Sequence, residues 1–177
     1  VKMSNILIRN GQQKDAEILS KIYASSWKHA YRGIVPDEYL KNLKDDFWVE
    51  KFKKWIGERI LKVKLIYLDD EPAGAISYGK SRDDKFPDYG EIWSFYMKPE
   101  YFRKGLGRKL INSAISDMVD KGFKNCYLWV LDKNKNARRF YEKSGFKYNK
   151  DKYRSKIMDT ELFELRYVLD LNSDNDF

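Results

Sequence analysis

Hydrophobic and polar positions in the first part of the chain predict one strand followed by helices. Apolar and polar side chains alternate over residues 5–9, which predicts a short first strand. Between residues 14 and 30, apolar and small side chains recur every three or four positions, as on one face of a helix that ends before Gly33 and Pro36. Two further helices are predicted near residues 36–43 and 47–59.

The rest of the chain alternates between strands and helices. Residues 106–119 carry the clearest helical stripe, which ends at a lysine followed by Gly122. The continuous apolar run at residues 126–131 is typical of a strand buried on both faces. The other predicted elements are strands at residues 63–68, 73–79, 90–97, 146–148 and 162–169 and a helix at residues 134–144. This order predicts an α/β domain with a mixed sheet.

Composition restricts the kind of protein that this chain can be. Its 177 residues suit one domain, expected to span residues 1–177, and 42% of them are hydrophobic while 35% are charged. No apolar run approaches the roughly 18 residues that a membrane-spanning helix needs. Residues 1–4 lack the apolar segment of a signal peptide. We therefore expect a globular, cytoplasmic protein with no membrane partner.

Net charge and the scarce residue types narrow the candidate chemistry. A net charge of +8 favours polyanionic partners, but it does not separate nucleic acid from a phosphorylated cofactor. Cys126 is the only cysteine and His29 the only histidine. An internal disulfide and a catalytic triad of the serine or cysteine type are therefore excluded, and a histidine-ligated zinc site is disfavoured. Cys126 is expected to be a buried packing residue.

A basic loop with two glycines joins the predicted strand at residues 90–97 to the next helix. Residues 97–108 read Met-Lys-Pro-Glu-Tyr-Phe-Arg-Lys-Gly-Leu-Gly-Arg. Free amides at a helix start, the positive end of the helix dipole and glycines that admit a close approach together favour an anion such as phosphate. The spacing is not that of a dinucleotide-binding motif or a P-loop. The alternative is a flexible turn with solvated cations.

A second group of residues begins directly after the predicted buried strand. Residues 134–146 read Asn-Lys-Asn-Ala-Arg-Arg-Phe-Tyr-Glu-Lys-Ser-Gly-Phe. Asn134 is placed to satisfy amides where that strand separates from its neighbour. Ala137, Phe140 and Tyr141 share the inner face of the helix. Considered alone, Tyr141 is interpreted as a core aromatic residue rather than a proton donor.

Taken together, the two segments resemble the GNAT superfamily of acetyl-CoA-dependent N-acetyltransferases. The first is similar to its pyrophosphate-binding loop and helix, and the second to its other cofactor motif. The order of elements fits over residues 6–169, and the resemblance implies a mixed, mostly antiparallel central sheet of about seven strands flanked by helices. One position departs from the family pattern: Phe102 stands where Gln or Arg is usual, so Arg103 or Lys104 is expected to supply the charge.

The resemblance also implies a role for each matched position. Tyr141 would protonate the departing thiolate, and Asn134 would hold the pantetheine arm, with no metal needed. The strand at residues 95–97 would pair with pantetheine, and an amide there would polarise the thioester carbonyl. The expected contacts to acetyl-CoA come from Phe95, Tyr96, Met97, Arg103, Lys104, Gly105, Leu106, Gly107, Arg108, Asn134 and Ala137.

The group that takes the proton of the attacking amine is left open. In the family pattern Glu91 is placed to accept it through water, and the alternative is that Glu91 pairs with a neighbouring cation on the sheet. His29 is a second candidate. Transfer from a thioester can also proceed mainly by orientation of the two reactants, without a base.

The acceptor is expected to bind between the first helices and the sheet. Trp27 and Tyr31 lie four residues apart on one predicted helix face, and Trp93 shares a strand face with Glu91, so the three rings would form an aromatic wall for an amine. The stretch Trp-Lys-His-Ala-Tyr-Arg-Gly-Ile-Val-Pro, which begins at Trp27, resembles a subset of the family. The alternative interpretation of these rings is ordinary packing between helix and sheet.

These observations predict an N-acetyltransferase that moves an acetyl group from acetyl-CoA to a primary amine of a small molecule or peptide by direct attack in a ternary complex. Two alternatives stay open. One is a non-catalytic acyl-CoA-sensing or partner-binding member of the family, motivated by Phe102. The other is a basic nucleic-acid-binding regulator, which would need a binding motif that is not recognisable here. The family is compatible with a homodimer, and the residues do not specify the amine.

Overall fold

Seven strands form one sheet in the order β1-β2-β3-β4-β5-β7-β6 in the computed structural model, which describes residues 3–172. Every neighbouring pair is antiparallel except β4 and β5, which run parallel. The strands are β1 (Ile6–Asn10), β2 (Lys62–Leu68), β3 (Glu71–Lys80), β4 (Gly90–Met97), β5 (Asn125–Leu131), β6 (Lys147–Ile157) and β7 (Thr160–Asp170). The predicted mixed, mostly antiparallel sheet of about seven strands is confirmed.

Within residues 3–172, five helices flank this sheet in the order that the sequence predicts. They are α1 (Ala16–Ala30), α2 (Asp37–Asn42), α3 (Val49–Gly57), α4 (Leu106–Asp120) and α5 (Lys135–Lys143). Short 3₁₀ turns at Gln13–Asp15 and Pro99–Tyr101 precede α1 and the loop before α4. Among residues 3–172, no helix is both long and apolar enough to cross a membrane.

The two larger of three hydrophobic clusters within residues 3–172 lie on opposite faces of the sheet and hold α1, α3 and α4 in place. Leu110, Ile111 and Ile115 of α4 are fully buried on one face. Leu19 and Ile22 of α1 are fully buried in the core of the other face, together with side chains of α3. Burying each such side chain stabilises the fold by roughly 1.5–3 kcal/mol relative to leaving it exposed. The sheet is therefore held from both faces, which fixes the positions of β4 and β5 between them.

β4 and β5 separate soon after they meet. They pair over three positions only, from Gly90 with Cys126 to Ile92 with Leu128. At that point β4 carries a bulge, because Ser94 pairs with Ser77 on β3 and Ile92 with Tyr78, which leaves Trp93 as an extra residue. Beyond the bulge, the edge of β4 that faces β5 has no strand partner. The separation opens a gap in the middle of the sheet.

The predicted elements differ from the observed ones mainly at the last hairpin. The strand predicted at residues 146–148 is in fact the eleven-residue β6, which starts at Lys147 and forms an edge of the sheet. Its sequence, Lys-Tyr-Asn-Lys-Asp-Lys-Tyr-Arg-Ser-Lys-Ile, has few apolar residues. Charged side chains are usual on edge strands because they discourage pairing with another chain. The hydrophobic pattern therefore indicates only the start of this strand and not its length.

Candidate active site

A cavity of about 1560 Å³ occupies the gap between β4 and β5. Its lining extends from the loop ahead of α4, past α5, to the last turn of α1 and the inner face of β7. Every site residue predicted from the sequence lines this cavity, with the exception of Lys104. The structure thus brings the predicted donor-binding residues, the predicted acceptor-binding residues, Glu91 and Tyr141 to one place.

The loop ahead of α4 offers a row of unpaired backbone amides. Arg103 and Gly105 both have left-handed backbone angles, with φ of 61° and 73°. Among residues 3–172, no hydrogen bond uses the amides of residues 103–108 as donors. Amides that converge in this way at the positive end of a 15-residue helix form a concave anion site. Its donor chemistry suits the diphosphate of a nucleotide cofactor.

Gly107 keeps the backbone close to the strand that it faces. A Cβ atom at this position would lie 3.3 Å from Cζ of Phe95 and 3.6 Å from both Met97 Cγ and Phe140 Cε2. Such contacts leave little room for a side chain between the first turn of α4 and β4. The glycine therefore lets the helix start lie directly against the gap.

Phe102, which stands at the position that departs from the family pattern, supplies no charge to this loop. It is 46% exposed, and its ring meets the edge of His29 with the ring centroids 5.7 Å apart. Both side chains line the cavity at its donor end. His29 is thus placed beside the anion site rather than among the aromatic residues at the acceptor end. Within residues 3–172, no group of three or more His, Cys, Asp or Glu side chains is arranged to hold a metal ion.

Asn134 caps α5 at the other side of the gap. Its side-chain Oδ1 accepts a hydrogen bond from the amide of Ala137 at 3.3 Å, and its own amide donates to the carbonyl of Leu131 at 3.0 Å. The first contact is a helix N-cap, which fixes the start of the helix that carries Tyr141. The Nδ2 group of Asn134 makes no hydrogen bond among the described residues and borders the cavity.

Tyr141 is a buried residue in the lining of the cavity. The residue is only 7% exposed, yet its hydroxyl takes part in no hydrogen bond within residues 3–172. Burial raises the pKa of this phenol above its usual range, and the nearby Tyr96 adds to the effect. The hydroxyl therefore keeps its proton at neutral pH and is able to donate it. Tyr141 is a candidate acid, and it is not suited to be a base.

The carboxylate of Glu91 forms hydrogen bonds and an ion pair with neighbouring residues. Its carboxylate accepts hydrogen bonds from the backbone amide of Arg82 at 3.0 Å and from the Tyr127 hydroxyl at 2.7 Å. The guanidinium of Arg82 also forms an ion pair with it. Glu91 is 1% exposed. The arrangement matches the alternative stated for this residue, pairing with a cation on the sheet, because its lone pairs are already used.

Trp27, Tyr31 and Tyr96 form an aromatic cluster at the acceptor end. The rings of Trp27 and Tyr31 meet edge to face, with centroids 4.9 Å apart. The Tyr96 hydroxyl accepts a hydrogen bond from Trp27 Nε1 at 3.0 Å and lies 3.2 Å from the Tyr31 hydroxyl. Burial is the main cause that raises the pKa of both tyrosines. Trp27 and Tyr31 are in contact, as their spacing in the sequence predicts, and Tyr96 packs against Tyr31, while the binding of an amine by these rings stays a prediction.

Trp93, the bulged residue, is placed slightly apart from this cluster. Its ring lies beneath the Arg82 guanidinium, 4.0 Å from the ring centroid, and packs edge-on against Trp55 at 6.3 Å. Its indole Nε1 is buried without a hydrogen-bond partner in the described part of the chain. Trp93 therefore lines the cavity while it also supports the arginine that pairs with Glu91.

Glu164 is the site residue that the sequence analysis missed. It lies on β7, opposite Leu131 of β5 and Tyr153 of β6, and it borders the cavity while half-buried. Its side chain makes no hydrogen bond or ion pair within residues 3–172. Burial raises the pKa of this carboxyl above the ordinary value, and the charge of Arg82 opposes that rise. An acidic residue at an inward position of a predicted strand is the pattern that could have revealed it.

Known proteins with similar sequences and structures share this arrangement of elements. The sequence model of the "Acetyltransferase (GNAT) family" matches residues 21–146, which is more than half of the chain. A spermidine N(1)-acetyltransferase from Thermoplasma acidophilum is 30% identical over 144 residues, which cover 81% of this chain and 89% of that protein. An uncharacterised N-acetyltransferase, YuaI, from Bacillus subtilis is 27% identical over 131 residues, which cover 73% of each.

Solved structures agree with the family assignment. A PaiA N-acetyltransferase from Thermoplasma acidophilum, crystallised in complex with coenzyme A, superposes with a TM-score of 0.74 at 27% sequence identity, covering 92% of this chain and 98% of that one. The fold also matches YncA, a putative acetyltransferase from Salmonella typhimurium, with a TM-score of 0.72 at 21% identity over 95% of each chain. With the family model, the relatives and the cavity in agreement, this chain belongs to the acetyltransferase (GNAT) family and is an acetyl-CoA-dependent N-acetyltransferase.

Proposed function

We propose that the protein transfers an acetyl group from acetyl-CoA to a primary amine of a small molecule or peptide, by direct attack in a ternary complex. One observation carries the proposal: a single continuous cavity joins the unpaired amides before α4, the free edge of β4, Tyr141 and the aromatic cluster. Both reactants fit into such a cavity at the same time. Direct attack needs that proximity, because holding two reactants together supplies much of the rate.

The donor side of the proposal rests on the backbone. The amides of residues 103–108 would hold the diphosphate of acetyl-CoA, and the free edge of β4 at residues 95–97 would pair with the pantetheine arm. Asn134 would add its Nδ2 group from the opposite side of the gap. The bound donor supplies an activated acetyl thioester. An amide of the β4 edge would then stabilise the negative charge that develops on the carbonyl oxygen during attack.

Tyr141 would complete the transfer by giving its phenolic proton to the departing thiolate. Burial keeps this phenol protonated at neutral pH, so it has a proton to give, and its hydroxyl has no other hydrogen-bond partner within residues 3–172. Cys126 does not offer a covalent alternative. It is fully buried, and burial raises the pKa of its thiol, so the nucleophilic thiolate is disfavoured.

The acceptor side favours an amine that carries a positive charge. Trp27, Tyr31 and Tyr96 present electron-rich rings, which attract cations through their quadrupoles. A relative that is 30% identical is named as a spermidine N(1)-acetyltransferase, and a Bacillus subtilis protein that is 30% identical over 93 residues is named as a spermine/spermidine N(1)-acetyltransferase. We therefore place polyamines first among the candidate acceptors, ahead of peptide N-termini and lysine side chains.

Three measurements test the proposal. Calorimetric titration with acetyl-CoA should show one binding site per chain. A thiol-release assay against a panel of spermidine, amino sugars, amino acids and a lysine peptide should then identify an acceptor. When the concentrations of both substrates are varied, double-reciprocal plots of the initial rates should give intersecting lines, as a ternary complex requires. Parallel lines, or acetyl-CoA binding without any acceptor in the panel, would contradict direct transfer to such an amine.

A further inference from the structure

In the part of the chain that the structure describes, three acidic side chains line the cavity. Two of them already have ion-pair and hydrogen-bond partners. Glu91 is bonded to Arg82 and Tyr127. Asp83 pairs with the buried Arg166 at 2.5 Å and accepts a hydrogen bond from the amide of Lys85 at 2.9 Å. Glu164 has neither a hydrogen bond nor an ion pair. A carboxylate that is to receive a proton from substrate needs free lone pairs, and this condition selects Glu164.

The surroundings of Glu164 place it at the acceptor end of the cavity. Its charge is close enough to add to the rise in the pKa of Tyr31 and of Tyr96, the tyrosines of the aromatic cluster, which burial mainly causes. Tyr141 also raises the pKa of Tyr31, and Tyr96 raises the pKa of Tyr141. The carboxylate and Tyr141 are therefore both near the same phenols, in the lining of one cavity. An amine held by Trp27, Tyr31 and Tyr96 would be close to both Glu164 and Tyr141.

The charged and titratable groups around Glu164 come from four elements. Arg82, in the loop between β3 and β4, lowers the pKa of Glu164 through its charge. Tyr31 follows α1 and Tyr96 lies on β4, while Tyr153 is the cross-strand neighbour on β6. On β7 itself, Arg166 lies two residues further along the same face, but its guanidinium is tied to Asp83 and to Asp151, 3.1 Å away.

We propose that the Glu164 carboxylate is the general base that takes a proton from the acceptor ammonium group, an inference that rests on the proposed function. The N–H bond breaks, its electron pair stays on nitrogen, and the proton moves to a carboxylate oxygen of Glu164. That lone pair then forms the C–N bond as the C–S bond breaks. The thiolate takes the Tyr141 proton, the nitrogen returns its second proton to Tyr141, and Glu164 releases the first one to water.

The environment of Glu164 suits this task in two respects. Burial raises its pKa, which makes the carboxylate a stronger base than an exposed one. The same burial destabilises the ionised form in the folded protein. Because the folded-state pKa lies above the unfolded one, that destabilisation is present at neutral pH and disappears as the pH falls below the unfolded value. A charge kept at a cost to stability is typical of a functional group.

The test compares Glu164→Gln and Glu164→Asp with a matched control, Glu161→Gln. Glu161 lies three residues away on β7, is exposed, pairs with Arg154 and does not line the cavity. Spermidine is the first probe, and the best amine of the panel above replaces it if spermidine is not acetylated. For each variant we would measure kcat/KM against pH, acetyl-CoA affinity, binding of the amine to the enzyme–coenzyme A complex, and the melting temperature at neutral pH.

We expect Glu164→Gln to lower kcat/KM by about 100-fold, which is within the usual range for loss of a general base. The acidic limb of the plot of kcat/KM against pH should be lost as well. The amine should bind more weakly to the enzyme–coenzyme A complex. Acetyl-CoA affinity should stay unchanged, and the melting temperature should equal or exceed that of the wild type. Glu164→Asp should recover part of the activity together with an acidic limb, whereas Glu161→Gln should behave as the wild type.

Two results would overturn the assignment. One is a Glu164→Gln enzyme that keeps its kcat/KM within about twofold, since removal of a general base costs far more than that. The other is a loss of activity in which the acidic limb stays in place, because this would mean that Glu164 acts only through packing. A wild-type enzyme that acetylates no amine at all would instead refute the proposed function itself. The failures of the two proposals are therefore distinguishable.

Discussion

The donor end and the acceptor end of the cavity are built in different ways. At the proposed donor end, the groups that are free to bind a ligand belong to the backbone: the unpaired amides of residues 103–108 and the free edge of β4. At the proposed acceptor end, four side chains from α1 and its C-cap, β4 and β7 line the cavity: Trp27, Tyr31, Tyr96 and Glu164. The chemistry of a diphosphate and an amide-containing arm is matched by peptide groups, whereas an amine requires particular side chains.

This difference predicts how each end responds to substitution. Backbone recognition tolerates changes of side chain as long as the loop conformation survives, which is consistent with Phe102 standing where the family usually has Gln or Arg. Side-chain recognition is lost with a single residue. The same fold can therefore keep its donor while the acceptor changes through a few substitutions on α1, β4 and β7.

Removal of the Tyr141 hydroxyl should have the largest effect, because in the proposed reaction this hydroxyl protonates the thiolate that leaves. Tyr141→Phe is expected to lower kcat by about 100-fold, as loss of a general acid usually does. Its affinity for acetyl-CoA, measured by calorimetry, should not change. Tyr148→Phe, at a 40% exposed position on β6, is the matched control. Unchanged turnover in Tyr141→Phe would return this residue to a packing role.

The contribution of the backbone at the donor end can be isolated at Arg108, the third residue of α4. Arg108→Ala removes the side-chain charge but keeps the amide, and Arg108→Pro removes the amide as well, at a first-turn position where proline is tolerated. We expect acetyl-CoA affinity to fall by about 30-fold more in the proline variant, as for loss of a hydrogen bond to a charged group. Equal affinities in the two variants, at equal melting temperatures, would contradict recognition by the amides.

A smaller effect is expected from the aromatic cluster. Trp27→Leu keeps an apolar side chain at this position but removes the indole, including the hydrogen bond from Nε1 to the Tyr96 hydroxyl. We expect KM for the amine to rise by about tenfold, in line with the strength of one partly desolvated cation–π contact. Acetyl-CoA affinity should be unaffected. A change in the affinity for acetyl-CoA instead of KM for the amine would show that the two ends are not separate.

The smallest effect on catalysis is expected at Glu91. Glu91→Gln weakens the pairing with Arg82, and we expect a loss of stability of about 1 kcal/mol, because Arg82 is about half exposed and the ion pair is partly screened. Since the carboxylate has no free lone pair for substrate, kcat/KM should change by less than about threefold and the acidic limb of its pH dependence should persist. Loss of that limb would make Glu91 the base and contradict the role of Glu164.

The sequence predicts the donor end of the cavity better than the acceptor end. The amphipathic helices, the order of elements and the donor loop are local patterns, and they are visible in short stretches such as residues 97–108. The position of Glu164 depends on the pairing of β7 with β5, a long-range contact that no local pattern contains. The length of β6 was missed because an exposed edge strand has no apolar face to detect.

The separation of β4 and β5 has a consequence for the lifetime of the protein. Where β4 and β5 separate, peptide groups of the sheet are left to pair with a bound ligand. A ligand that binds only the folded chain stabilises the fold by mass action, by about 2.7 kcal/mol when the ligand concentration is 100 times the dissociation constant. Resistance to proteolysis should then rise and fall with the cellular pool of acetyl-CoA. The metabolite that this enzyme consumes would also determine how much of the enzyme is present.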